Sequence, residues 1–401
     1  MGAESCDRLS RRQRRGTTRG EELSGNPLEA HADIVGHLIE FTDVDEYIFT
    51  GTVSKSWRSS WKGCGRPTET RLSSTVVSPS RLEWARNAGC LWSEATFAAA
   101  AAVGDLEVME WARVNGCPWN ERTCSSAALA GNLSALKWAR ANGCPWDEYT
   151  CAYSTVWGSL DVLKWARENE CPWDELTCSY AADGGFLEIL QWARENGCPW
   201  DEETSTVAAQ RGFLDVLQWA RANGCPWEEE TCAMAAAAGH MHVLQWARAN
   251  GCPWDEATCR NAVAGGYLDI LQWAWSNDCP WDERTCAMAA VEGRLDILTW
   301  ARAHDCPWDE TVCWNAADGG HLDVLQWARA NGCPWDVETC TCAARRGHLD
   351  VLKWARENGC EWDEEACAYA VYHGHEEVVK WARANGCPEF TRVVREREHD
   401  A

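Results

Sequence analysis

Residues 322–340 read LDVLQWARANGCPWDVETC, and the chain repeats this stretch with little change. The tryptophan of its Trp-Ala-Arg run recurs at Trp84, Trp111, Trp138, Trp165, Trp192, Trp219, Trp246, Trp273, Trp300, Trp327, Trp354 and Trp381, every 27 residues with no insertion or deletion. A fixed period of this size marks an array of identical supersecondary units, each too small to bury its own apolar face.

Within one unit the pattern is helical throughout. In the unit from Trp227 to Trp254, Glu228–Glu230 and Thr231 supply the acidic and hydroxyl groups that favour a helix start. A run of small residues follows, Cys232 to Ala236, and Gly239 ends it. A second helix is predicted from Met241 to Ala249, with Val243, Leu244, Trp246 and Ala247 on one apolar arc, closed by Asn250-Gly251. No strand-like alternation interrupts the series. The expected class is therefore all-α: a solenoid of about eleven to twelve helical hairpins across residues 81–387. At about 10 Å per stacked pair, eleven pairs extend on the order of 110 Å.

Composition agrees with an array. Of the 24 cysteines, most occupy two repeated places, the Cys-Pro-Trp turn (Cys90 through Cys387) and a position seven residues further on, such as Cys124 and Cys151. Pairs spaced C-x6-C do not match the C-x2-C pairs of structural zinc, so small buried apolar cysteines are expected, with no metal, no cofactor and no disulfide framework. A metal- or redox-buffering role is the rival reading, which zinc content per repeat separates. Unpaired cysteine at this density suits a reducing compartment, cytoplasm or nucleus. No apolar run long enough for a membrane span is present, and no membrane partner is expected. Residues 1–80 hold equal numbers of basic and acidic residues, so residues 81–401, the array with its C-terminal tail, carry the entire net charge of −24. Such a surface repels phosphate backbones and predicts no nucleic-acid partner.

The N-terminal segments differ. Residues 1–26, with Arg8, Arg11, Arg12, Arg14, Arg15 and Arg19, read as a disordered basic arm. In residues 27–62, Ile34, Leu38 and Phe41 share one helix face; the turn Thr42-Asp43-Val44-Asp45 follows, then Val53-Ser54-Lys55-Ser56-Trp57-Arg58. This block resembles an F-box, although the usual Leu-Pro opening is here the reversed Pro27-Leu28. The resemblance implies docking to a Skp1-like adaptor of a cullin-type ubiquitin ligase through Ile34, Leu38, Phe41, Val53 and Trp57. The alternative is a helical cap that closes the array. Residues 63–80 read as a linker or degenerate cap, and 388–401 as a charged C-terminal cap.

The array resembles ankyrin repeats over TCAMAAAAGHMHVLQWARANGC (231–252), GGHLDVLQWARANG (319–332) and RGHLDVLKWARENG (346–359). It looks like the 27-residue WARANGCPW-type repeats of algal and giant-virus ankyrin proteins, which often accompany an F-box-like N-terminus. Six residues are missing where ankyrins carry a β-hairpin finger, so finger-mediated binding is not expected.

The resemblance implies a concave groove for a client protein or peptide, lined by positions that vary between units. These are the two residues before the first helix's terminal glycine and the one after it. The candidates are Trp157, Phe186, Gln210, Arg211, Phe213, His240, Tyr267, Glu292, Arg294, Asp318, His321, Arg345, Arg346, Tyr372 and His373. Motifs of known enzymes are absent, so no catalytic residue is expected. The readings that remain are a substrate receptor for a ubiquitin ligase and a non-catalytic scaffold with no ubiquitin link.

Overall fold

In the computed structural model the described residues are 76, 78–87 and 91–388. The expected basic arm, the F-box-like segment with Ile34, Leu38, Phe41, Val53 and Trp57, most of the linker and the C-terminal tail lie outside them. Every element among the described residues is an α-helix, twenty-three in all, from Pro79–Asn87 to Glu376–Ala384. They fall in two compact units divided between Trp146 and Asp147, each a solenoid-like row of helix pairs.

The pair Glu229–Ala237 and Met241–Ala249 shows how one repeat is built. Each helix has nine residues, too short to persist alone in water, so packing must supply its stability. Glu228 at the N-cap is extended at φ −134°. In sister repeats the N-cap aspartate accepts the N–H two residues on, as Asp255 does from Ala257 at 3.0 Å and Asp336 from Glu338 at 3.0 Å. The recurrent acidic pairs are therefore helix-start groups.

Both helices end in the same way. Gly239 at φ 83° and Gly251 at φ 84° turn the chain, while His240 N–H reaches Ala235 O at 2.9 Å and Cys252 N–H reaches Ala247 O at 3.0 Å. Asn250 Nδ2 donates to Trp246 O at 2.8 Å, which occupies another free carbonyl.

The core of the pair is built mostly of small side chains. Thr231, Cys232, Ala235, Ala236, Val243, Leu244, Ala247 and Cys252 are all fully buried. Alanine at the first helix lets the next repeat's first helix approach closely. Burying Leu244 contributes roughly 1.5–3 kcal/mol, more than either helix gains from propensity. The thiol of Cys252 donates to Glu228 O at 3.5 Å, tying the end of the hairpin to its beginning, and Cys171, Cys198, Cys225 and Cys333 repeat this bond. The cysteine that packs on Cys252 is Cys232, twenty residues earlier across the hairpin, rather than the neighbour seven residues along.

The repeated tryptophans sit outside this core. Among the described residues none is fully buried. In ten repeats the two indoles meet edge to face, as Trp227 and Trp246 do at 5.9 Å, and close the open side of the hairpin. An indole at that place is too large to disappear between two nine-residue helices. Its exposed face is covered by the arginine of the Trp-Ala-Arg run. Arg221 lies 4.0 Å over Trp227, and its Nη1 also donates to Cys225 O.

Candidate functional site

From Phe186 to His375, the side chain that follows each first-helix glycine is held by the repeat before it. A β-carbon built on Gly158 would meet the ring of Phe186; one on Gly185 would meet Phe213, and one on Gly212 would meet His240. Gly239, Gly266 and Gly293 face Tyr267, Arg294 and His321 in the same way. His321, His348 and His375 add a hydrogen bond, each Nε2 lying 3.1, 3.1 and 2.9 Å from the carbonyl of Val291, Asp318 and Arg345. An acceptor carbonyl fixes that nitrogen as the donor in each. Burial, and then His242 beside it, hold His240 below the usual histidine range. The family resemblance implies a groove for these residues; what the structure shows is that each works as a peg between neighbouring repeats.

The residues before the glycine are more open. Trp157 is 55% exposed and Tyr372 83%. Gln210, Glu292 and His373 are exposed as well. Arg211 pairs with Asp183 at 2.7 Å, while Arg345 at 2.7 Å and Arg346 at 3.1 Å both hold Asp318. Those two guanidiniums draw the Asp318 carboxyl below its ordinary value although its burial opposes them. Arg211, Arg345 and Arg346 thus spend much of their charge within the array.

The structure sets one of these candidates, Trp157, beside three tyrosines that sequence reasoning missed. Tyr149 and Tyr153 lie at i and i+4 on one face of the first helix Glu148–Val156, and Trp157 follows at i+8 as its C-cap. Tyr153 stacks on Tyr180 of the next repeat at 6.1 Å and 19°, and packs against Tyr149 at 5.6 Å. Burial first, then Tyr153, Tyr149, Asp174 and Asp183, push the Tyr180 phenol up. Burial and Glu175 push Asp174 up. The stripe is thus aromatic, half-exposed and set among carboxylates. Its signal was present in the sequence: the position two residues after the first-helix cysteine, which is Ser205 in one repeat, varies as Tyr153, Tyr180, Val207, Met234, Asn261, Met288 and Asn315.

Fold and surface define a helical-repeat protein whose variable side chains line the first helices. Residues 340–383 match the family model for ankyrin repeats (many copies). Among solved structures the chain is similar to the pentatricopeptide repeat protein PPR10 in complex with an 18-nt psaJ RNA element, with a TM-score of 0.41 and 13% identity. A variant of that protein, with three cysteines changed to serine and the same RNA element, gives the same figures. Both alignments cover 91% of this chain and 62% of the other, so this chain spans less than two thirds of those proteins. No curated protein matches it.

One expectation is corrected. The net charge of −24 led the sequence reading to exclude nucleic acid, but a charge summed over a whole chain does not describe any one of its faces, so the exclusion falls. The two solved structures named above are RNA complexes. Among the described residues no helix is long and apolar enough to cross a membrane, and no group of three or more His, Cys, Asp or Glu is placed to hold a metal ion.

Proposed function

We propose that the array is a non-catalytic binding module that holds a partner protein on the exposed face of its first helices. In this reading the F-box-like segment, residues 27–62, joins the module to a Skp1-like adaptor of a ubiquitin ligase. The observation that carries the first part is the aromatic stripe of Tyr149, Tyr153, Trp157 and Tyr180, with Tyr149 40% and Trp157 55% exposed. Exposed Trp and Tyr are the side chains that most often anchor protein interfaces, because they bury large area at low entropic cost. The second part rests on the motif Val53-Ser54-x-x-Trp57-Arg58 with Ile34, Leu38 and Phe41.

Affinity capture with the full chain tests both parts separately. Wild type retains a client protein that Tyr153→Ala and Trp157→Ala lose by about tenfold or more in affinity, the range of an interface anchor. It also retains a Skp1-like adaptor that Leu38→Asp and Trp57→Ala lose. Client capture with no adaptor leaves a scaffold without a ubiquitin link. Capture of RNA in place of a client, lost in Tyr153→Ala, overturns the protein-binding reading.

A further inference from the structure

The second helices end in a ladder that scarcely varies. In ten repeats an arginine, from Arg86 to Arg356, stacks at 4.0–4.5 Å on the indole of the following turn. An asparagine and a glycine come next, two and three residues after the arginine. Departures from this arginine, asparagine and glycine concentrate in two successive turns. Trp275 stands in place of the arginine and Asp278 in place of the glycine; in the next turn His304 replaces the asparagine and Asp305 the glycine. Among the described residues Glu170 is the other departure, and its repeat keeps the stacked Arg167.

The structure joins these departures into one cluster. The Trp275 ring lies 4.7 Å from His304, 5.8 Å from Trp300 and 6.1 Å from Trp281. His304 stacks on Trp300 at 4.2 Å and 29°, oriented by its Nδ1 at 2.8 Å from Trp300 O. Trp275 remains 38% exposed. Asp278 and Asp305 are exposed in the two adjoining turns, both at φ 62°, a conformation that an aspartate tolerates better than most side chains.

Indole faces are electron-rich, and the sister repeats show what this surface takes: a guanidinium laid flat on the ring. Here the chain's own guanidinium is gone. No Arg or Lys among the described residues stacks on Trp275, Trp281 or Trp300, and two carboxylates, Asp278 and Asp305, have been added in the adjoining turns. We propose that Trp275, Trp281, Trp300 and His304, with Asp278 and Asp305, form a docking site for an arginine side chain of a partner protein. The partner's guanidinium supplies in trans the stack that ten repeats make in cis, and the carboxylates receive its N–H groups. The site lies on second helices and their turns, apart from the Tyr153 stripe, and does not rest on the function proposed above.

Fluorescence anisotropy of the full chain with a labelled peptide of arginines spaced by Gly-Ser tests it at physiological salt. Trp275→Arg restores the residue of the sister repeats and so keeps the fold; it weakens binding about tenfold, the scale of a desolvated cation–π contact. Ser276→Arg adds the same charge next door without covering the rings and retains most of the affinity. Asp278→Gly with Asp305→Gly weakens binding, and a citrulline version of the peptide binds wild type no better than the arginine peptide binds Trp275→Arg. Tyr153→Ala leaves this affinity unchanged. Equal binding by wild type and Trp275→Arg, equal binding of the citrulline peptide, or a short RNA that competes at these rings overturns the proposal.

Discussion

Two glycines of one repeat separate backbone strain from packing between repeats. Gly239 and Gly251 hold nearly the same dihedral, φ 83° and φ 84°, so alanine meets the same left-handed penalty at either, about 1 kcal/mol. Their surroundings differ. A β-carbon on Gly251 finds nothing within 4 Å, whereas one on Gly239 stands 2.5 Å from Cζ of Tyr267 in the next repeat. Gly251→Ala is therefore expected to cost about 1 kcal/mol, and Gly239→Ala that amount plus roughly 1–3 kcal/mol for displacing the ring. In a Tyr267→Ala background the excess at Gly239 disappears, because the ring that caused it is gone. Guanidinium unfolding followed by circular dichroism gives the totals. Amide exchange in Glu229–Ala237 and Leu268–Ser276 shows whether the loss is local, as a repeat array allows. Equal costs for the two alanines, or an excess that survives Tyr267→Ala, would refute the peg-and-glycine account. The chain already contains half of this experiment. Glu170, Asp278 and Asp305 occupy the open position at φ 66°, 62° and 62°, whereas the pegged positions from Gly158 to Gly347 are all glycine.

Three further outcomes follow from the same geometry. Arg221 both stacks on Trp227 and donates to Cys225 O; a lysine cannot do the two together, so Arg221→Lys lowers stability by about 1 kcal/mol in denaturant titration, and an unchanged midpoint contradicts the stack. His240 is held below the usual histidine range by burial, so the unfolded chain binds its proton first. Its contribution is complete above about pH 6.5 and is lost as pH falls through the lowered folded value. His240→Phe, a ring that two sister repeats carry at this place, should show a shallower fall in stability between pH 7 and 5 than wild type; parallel curves would sink the assignment. Burial pushes the thiols of Cys117 and Cys342 up to about 12 and that of Cys225 up to about 11. Iodoacetamide at pH 8 should therefore leave these three unmodified in the native protein and label them in guanidinium, read by peptide mass spectrometry.

The fold was open to sequence reading because its rules are local. The 27-residue spacing of the tryptophans, the Asp255-Glu256 type of helix start and the Asn250-Gly251 type of helix end each name a helix boundary without reference to any neighbour. What lies between repeats was much harder to see. That Phe213 rests on Gly185, or that Cys252 meets Cys232 rather than Cys259, depends on the registry of stacked hairpins, which a linear string does not contain. The tryptophans mislead for a related reason. Their repetition suggests a deep core, yet alanine, cysteine and leucine fill that role and the indoles form an outer layer under arginine. At the surface the same limit applies. Trp157 stood out in its own repeat as a variable position, but Tyr149, Tyr153 and Tyr180 did not, and only their juxtaposition makes a stripe. The departures at Trp275 and His304 were visible as breaks in an otherwise constant turn, but not as partners.

The pegs also bear on how such a chain can lengthen. Phe186, Phe213, His240, Tyr267 and Arg294 all reach back to the glycine 28 residues before them, and none of these contacts extends past the adjoining hairpin. Removing or copying one whole unit inside the row starting at Asp147 therefore leaves every surviving peg a glycine to rest on. A cut that is not a whole number of units breaks this pairing of peg and glycine. Length becomes a property that gene duplication can change in whole steps, while the identity of each added anchor is left open to drift.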